Sequence, residues 1–165
     1  MPSTPAQLKT PTDLASNAIR PVADMLNAIL ADSFALYIKT KNFHWHVSGP
    51  HFRDYHLLLD EQATQIFGTL DTIAERVRKV GGTTLRSIGH VARLQRIKDN
   101  DEEFVSAADM IAELHGDNLK LIEALREAKE AAEKAGDNAT GGLIDDWTDQ
   151  AEKRAWFLFE TGRGG

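Results

Sequence analysis

Four of the six histidines lie in "FHWHVSGPHFRDYHLLLD", residues 43–60, at His44, His46, His51 and His56, and the run closes on Asp60. Imidazole nitrogen beside carboxylate oxygen makes a metal-ligand set, a proton relay or a wet surface, and the spacing decides among them. His56 and Asp60 are one helical turn apart, and fifteen positions after His56 the spacing repeats at Asp71 and Glu75. On a helical wheel with His56 at zero, Asp60, Asp71 and Glu75 fall at about 40°, 60° and 100°, a narrow stripe. The apolar seam of the same segment is Leu59, Ala63, Ile66, Leu70, Ile73, Val77 and Val80. It centres near ~290°, so the polar stripe runs along a flank of the helix and not into the core.

The two pairs stand roughly 16 Å apart along the axis. Metal–ligand bonds are about 2 Å long, so one ion cannot be held by both pairs of one chain. Positions 56 and 75 share a midpoint with positions 60 and 71, between Gln65 and Ile66. Two copies packed antiparallel about that point would set His56 and Asp60 of one against Glu75 and Asp71 of the other, giving two equivalent sites from one isologous contact. Thr64, Phe67 and Gly68 lie nearest the proposed axis; a helical glycine costs about 1 kcal/mol relative to alanine, and close helix approach is a reason to accept it. A helical hairpin turning near Gly49 brings His44 beside His56. The set is then His44, His56 and Asp60 with a partner's Asp71 and Glu75. Nitrogen and oxygen without sulfur suits iron, manganese or zinc. Taken singly, each pair reads as a solvated i,i+4 contact; the shared stripe and midpoint favour the metal. A two-metal site inside one bundle needs Glu-x-x-His pairs on two helices. The chain has none, and Glu113-Leu114-His115 has the wrong spacing.

Composition agrees with a cation-handling protein. The chain has 165 residues, enough for one domain with a substantial core. It has no cysteine, which excludes disulfides, thiolate ligands and cysteine nucleophiles. A net charge of −6 argues against a dedicated nucleic-acid binder and favours cations. No window reads as a membrane span, and the opening "MPSTPAQLKTPTD" has no apolar signal core, so a cytoplasmic location is expected.

The elements that position the stripe follow from periodicity. Residues 1–12, rich in Pro, Thr and Ser, read as a flexible tail, and residues 13–165 as one helical domain. Pro21 suits a first turn, and a helix is expected from there to "SGP" at 48–50. The second runs from Phe52 to Val80 and stops at Gly81-Gly82. A short helix is expected near Ile88–Leu94. Ser106 caps a third long helix carrying Met110, Leu114, Leu121, Leu125, Ala128 and Ala132, which stops at Gly136. Asp137 or Thr140 starts a fourth, with Ile144, Trp147, Ala151, Ala155 and Leu158 inward. The result is all-α: a four-helix bundle of the ferritin-like kind, with a short helix in the long connection between long helices two and three.

Residues 41–82, "KNFHWHVSGPHFRDYHLLLDEQATQIFGTLDTIAERVRKVGG", resemble the Dps family of ferritin-like mini-shells, and the resemblance extends over all four long helices. It rests on a His-Trp after the first helix, a His twelve residues on, an Asp four later, "D-x-I-A-E-R" and a Gly-Gly stop. The resemblance implies a ferroxidase centre at a two-fold subunit interface, with ligands on His44, His56, Asp60, Asp71 and Glu75. It implies a hollow dodecamer that oxidises Fe(II), preferably with hydrogen peroxide rather than oxygen, and stores ferric mineral. Zinc takes the same ligands, so a bundle holding zinc as a structural staple or as a competitor is a further reading. It also places acidic residues of the last helix, among Asp145, Asp146 and Asp149, at entry pores; without it, that run is a solvated helix face. Trp45 reads as a wall of the site or as packing, His46 and His51 as surface residues or supports for the site's ligands, and His90 and His115 as structural. Arg76 and Arg78 are expected to balance Asp71 and Glu75. Family members that coat DNA use lysine-rich tails, but here only Lys9 precedes Arg20 and only Arg163 follows the last helix. DNA binding is expected to be weak or absent, which leaves a DNA-coating nucleoid protein as the alternative reading.

Overall fold

The computed structural model describes residues 4–164, and all regular structure among them is helical. The helices are α1 (Ser16–His46), α2 (Phe52–Lys79), α3 (Ile88–Leu94), α4 (Ala107–Lys134) and α5 (Asn138–Gly162), preceded by a 3-10 turn at Ala6–Leu8. α1 with α2 and α4 with α5 form two close-packed hairpins; α1 also touches α4 and α3, while α2 and α5 approach each other less closely. The long helices expected third and fourth are thus α4 and α5.

Local chemistry sets the ends. Ser106 Oγ accepts from the Asp109 amide, and the Asp137 carboxylate from the Thr140 amide, so both later helices begin on side-chain caps. Gly49 (φ +118°), Gly81 (φ +98°) and Gly136 (φ +67°) take left-handed backbone where three of the long helices give way to turns. At Gly82 a Cβ would lie 2.6 Å from the Ala23 Cβ, so the Gly-Gly stop also lets α1 pass close by. Helix α1 departs from expectation: it begins at Ser16, five residues before Pro21. Pro21 deprives the Asn17 carbonyl of its donor, and both residues are exposed, so the carbonyl is open to solvent and the loss is tolerable. The segment read as a tail makes contacts as well: Arg78 Nη2 donates to the Leu8 carbonyl at 2.8 Å. Residues 1–3 and 165 lie outside the described chain.

Every residue of the α2 seam is buried, as are the inward residues named for α4 and α5. α1 is long and apolar enough to cross a membrane by length and composition, contrary to the expectation that no segment is, yet half of its most apolar window is buried inside the bundle. It also carries buried Asp32 and Lys39, as a helix of a protein core can when both charges are paired.

Those two charges fasten the long connection. Asp32 takes the Arg96 guanidinium at 2.7 Å, and Lys39 Nζ donates to the Lys98 carbonyl at 2.8 Å. The same ammonium lies 2.9 Å from Glu113 Oε1 and 2.8 Å from Asp117 Oδ2, although the latter contact lacks the angle of a hydrogen bond. Burial pushes the Asp117 carboxyl above its usual range, with Lys39 partly opposing. Lys39→Met leaves two carboxylates facing each other without their cation, and is expected to cost on the order of 3 kcal/mol in urea unfolding at neutral pH. A carboxyl whose folded pKa is raised gains stability on protonation, so this deficit should shrink as the pH falls through the raised value.

Candidate metal centre

His44 is in the last turn of α1 and His56 in the second turn of α2, facing each other across the Gly49 hairpin. Their rings stack, with centroids 3.8 Å apart and planes 17° apart. Each anchors the other's backbone: His44 Nδ1 lies 2.7 Å from the His56 carbonyl, and His56 Nδ1 lies 2.8 Å from the His44 carbonyl. A carbonyl only accepts, so each Nδ1 carries the proton. In the neutral ring Nε2 then keeps its lone pair, the tautomer a metal ligand requires. Phe52 covers the far face of the pair, 5.0 Å from His56.

Asp60 lies beside the rings, with Oδ1 3.8 Å from His44 Nε2. A residue that sequence reasoning passed over also engages it: Lys41 Nζ donates to Asp60 Oδ1 at 2.9 Å. That hydrogen bond and charge, with small contributions from both imidazoles, hold the Asp60 carboxyl below its ordinary range against a modest desolvation effect. Lys41 is one turn before Trp45 and stands 5.7 Å from its ring, so the exposed indole borders the site through the ammonium. The i,i+4 spacing of Lys41 and Trp45 was visible in the sequence, but the reach of Lys41 to a second helix was not.

Asp71 and Glu75 are exposed further along the same helix, and Glu75 is 3.6 Å from Lys79. Within one chain they do not join the histidines. Among the described residues, no three of His, Asp and Glu gather closely enough to hold one ion. The face that carries the stripe is apolar as well as acidic: Phe67 (59% exposed, packed on Tyr37) and exposed Leu57 share its side of the helix. A Cβ at Gly68 would meet nothing within 4 Å, so nothing inside the chain explains that glycine.

Other assignments are settled by contacts. Arg76 and Arg78 do not balance Asp71 and Glu75: Arg76 binds Asp137 at 2.9 Å and Thr140 at 2.8 Å, and Arg78 turns to the Gly82 and Leu8 carbonyls. Asp137 caps α5 and needs a counter-charge, and wheel arithmetic on α2 alone does not reveal that partner. His46 folds back on Asn42, and His51 is exposed at the start of α2. On α5 the acidic run is partly neutralised by α4: Lys129 lies 2.7 Å from Asp145, and Arg126 lies 2.8 Å from Glu152. With Asp149 they line a groove of about 460 Å³.

Comparison with known proteins agrees with this architecture. Residues 23–161 match the ferritin-like domain family. The chain is 35% identical over 153 residues to the DNA protection during starvation protein of Agrobacterium fabrum, covering 91% of this chain and 93% of that one. It is 35% identical over 137 residues to the protein of the same name from Brevibacillus brevis, covering 83% and 91%. The crystal structure of a Dps protein from Bacillus brevis superposes with a TM-score of 0.86 at 32% identity, over 90% of this chain and 99% of that one. The sequence motif, the five-helix arrangement and these relatives together identify the chain as a member of the Dps family of ferritin-like proteins.

Proposed function

We propose that this protein stores and detoxifies iron, acting as a ferroxidase at the interface between two antiparallel copies of α2. The observation that carries the reading is the reciprocal anchoring of His44 and His56, which holds two imidazoles in ligand tautomers beside an ionised Asp60. Ferrous ion, the substrate, is taken by His44, His56 and Asp60 of one chain with Asp71 and Glu75 of a second. Each ferrous ion gives one electron and a peroxide accepts two; water supplies the remaining oxygen of the ferric oxide, and protons leave. Hydrogen peroxide is the preferred oxidant over oxygen, and the product is held inside a hollow cytoplasmic dodecamer. Removing peroxide and ferrous ion together prevents their reaction to hydroxyl radical. Zinc takes the same donor types without redox chemistry and would inhibit as a competitor. Twelve chains, each of charge −6, make a shell that attracts cations.

Anaerobic loading with Fe(II) followed by peroxide is expected to give rapid ferric absorbance in the natural protein and at least a tenfold slower rise in Asp71→Ala/Glu75→Ala. Equal, slow rates in both would reduce the stripe to an ordinary acidic face.

Gly68→Leu separates the interface from the fold. The new side chain has open space within its own chain and favours helix, so thermal stability of the chain should hold. Size-exclusion chromatography should show the assembly broken and iron oxidation lost with it; an intact assembly would move the axis elsewhere.

The name of the relatives mentions DNA, but two of the arginines that could grip a phosphate backbone already have acidic partners. Arg20 is engaged by Asp24 at 3.5 Å and Arg163 by Glu160 at 3.3 Å. Plasmid mobility in a gel at physiological salt is expected to be unchanged; retardation would favour the DNA-coating alternative.

A further inference from the structure

We propose that the groove between α2 and α5 binds a small tetrahedral oxyanion, inorganic phosphate, anchored by the guanidinium of Arg154. Arg154 is only 4% exposed. Its Nε donates to Asn118 Oδ1 at 2.9 Å and its Nη1 to Gln65 Oε1 at 2.8 Å, while its own carbonyl accepts from Gln62 Nε2 at 3.3 Å. Both acceptors are neutral amides, and no carboxylate pairs with the guanidinium among the described residues. The other buried cation, Lys39, sits against two carboxylates, and Arg76 and Arg96 each hold a buried one. A buried charge without a counter-ion is costly, and among the described residues Arg154 is the buried Lys or Arg that lacks a negative partner. Burial pushes the guanidinium down to about 10, which leaves it charged at neutral pH.

Arg154 lines a cavity of about 40 Å³ that opens between α2 and α5. A water needs roughly 10–15 Å³ by this measure, so the space suits a small ion and excludes a nucleotide. Lys153 adds a second positive charge at the rim, its Nζ 5.5 Å from the Phe157 ring centroid. Glu61 also lines the opening and is exposed. One carboxylate beside two cations keeps the site positive overall. It also selects among anions: hydrogen phosphate can donate its O–H to a carboxylate, and sulfate has no proton to give. Gln65 falls about 180° from His56 on the α2 wheel, so this groove faces away from the candidate metal centre and stands whether or not that centre oxidises iron.

The test is isothermal titration of the metal-free assembled protein with sodium phosphate at neutral pH, with sodium sulfate in parallel. One phosphate per chain is expected, with sulfate at least tenfold weaker. Arg154→Gln should abolish binding. Lys153→Met, on the exposed rim and not needed for folding, should weaken it several-fold while leaving the thermal melt unchanged. Absence of phosphate binding in the natural protein overturns the proposal. So does full affinity in Lys153→Met, or sulfate bound as tightly as phosphate, and each of these outcomes is decisive even where Arg154→Gln fails to fold.

Discussion

The ammonium of Lys39 is the interaction on which the rest of the arrangement turns. It stands between α1 and α4, lies within ion-pair distance of two carboxylates of α4 and donates to a carbonyl of the crossover. A bundle of this kind has to carry a long connection across its side, and a connection held only by apolar contact could slide. Lys39, Asp32 and Asn42 pin it at Lys98, Arg96 and Asn100 in succession along one face of α1. The same ammonium has a chemical effect. Asp117 is buried and Glu113, one turn before it, partly so, and a fixed positive charge already stands between them. A cation thus already occupies the middle of the bundle, whereas Asp71 and Glu75 on the flank of α2 face solvent.

The flank is prepared in a different manner. The imidazoles of His44 and His56 are tied to backbone rather than to acidic side chains, so the hairpin that closes α1 onto α2 also sets both rings. Gly49 permits the turn, Phe52 covers the stack and Lys41 keeps Asp60 ionised. Each is a local consequence of the α1–α2 junction. The motif that carries the family resemblance and this geometry therefore lie in the same stretch, residues 41–82.

The long helices and their seams were legible because one period governs each of them, and because glycine and capping residues mark their ends. Ser106 and Asp137 announce helix starts through side-chain chemistry that does not depend on tertiary context. The start of α1 was misplaced because Pro21 is a strong signal for a first turn and a tolerable residue on a wet helix face, and sequence does not say which face is wet. Arg76 and Lys41 escaped for another reason. A long cation chooses its partner among several carboxylates within reach, and that choice depends on which helix lies alongside. His44 and His56 could be placed side by side by counting from the turn, whereas the reciprocal hydrogen bonds needed atomic positions. Arg154 carried no signal at all in sequence: an arginine among helical polar residues looks solvated until the neighbouring helices cover it.

The spacing along α2 has a consequence for timing. On the interfacial reading a lone chain possesses the imidazole half of one centre and the carboxylate half of another, separated by roughly 16 Å. A newly made subunit in a cell rich in ferrous ion is then chemically silent. It has no place where metal and oxidant can meet before a second copy arrives, and the event that completes the centre is also a step in building the vessel. On that reading competence waits for the first step of assembly, and a lone subunit would release no ferric product into open solution.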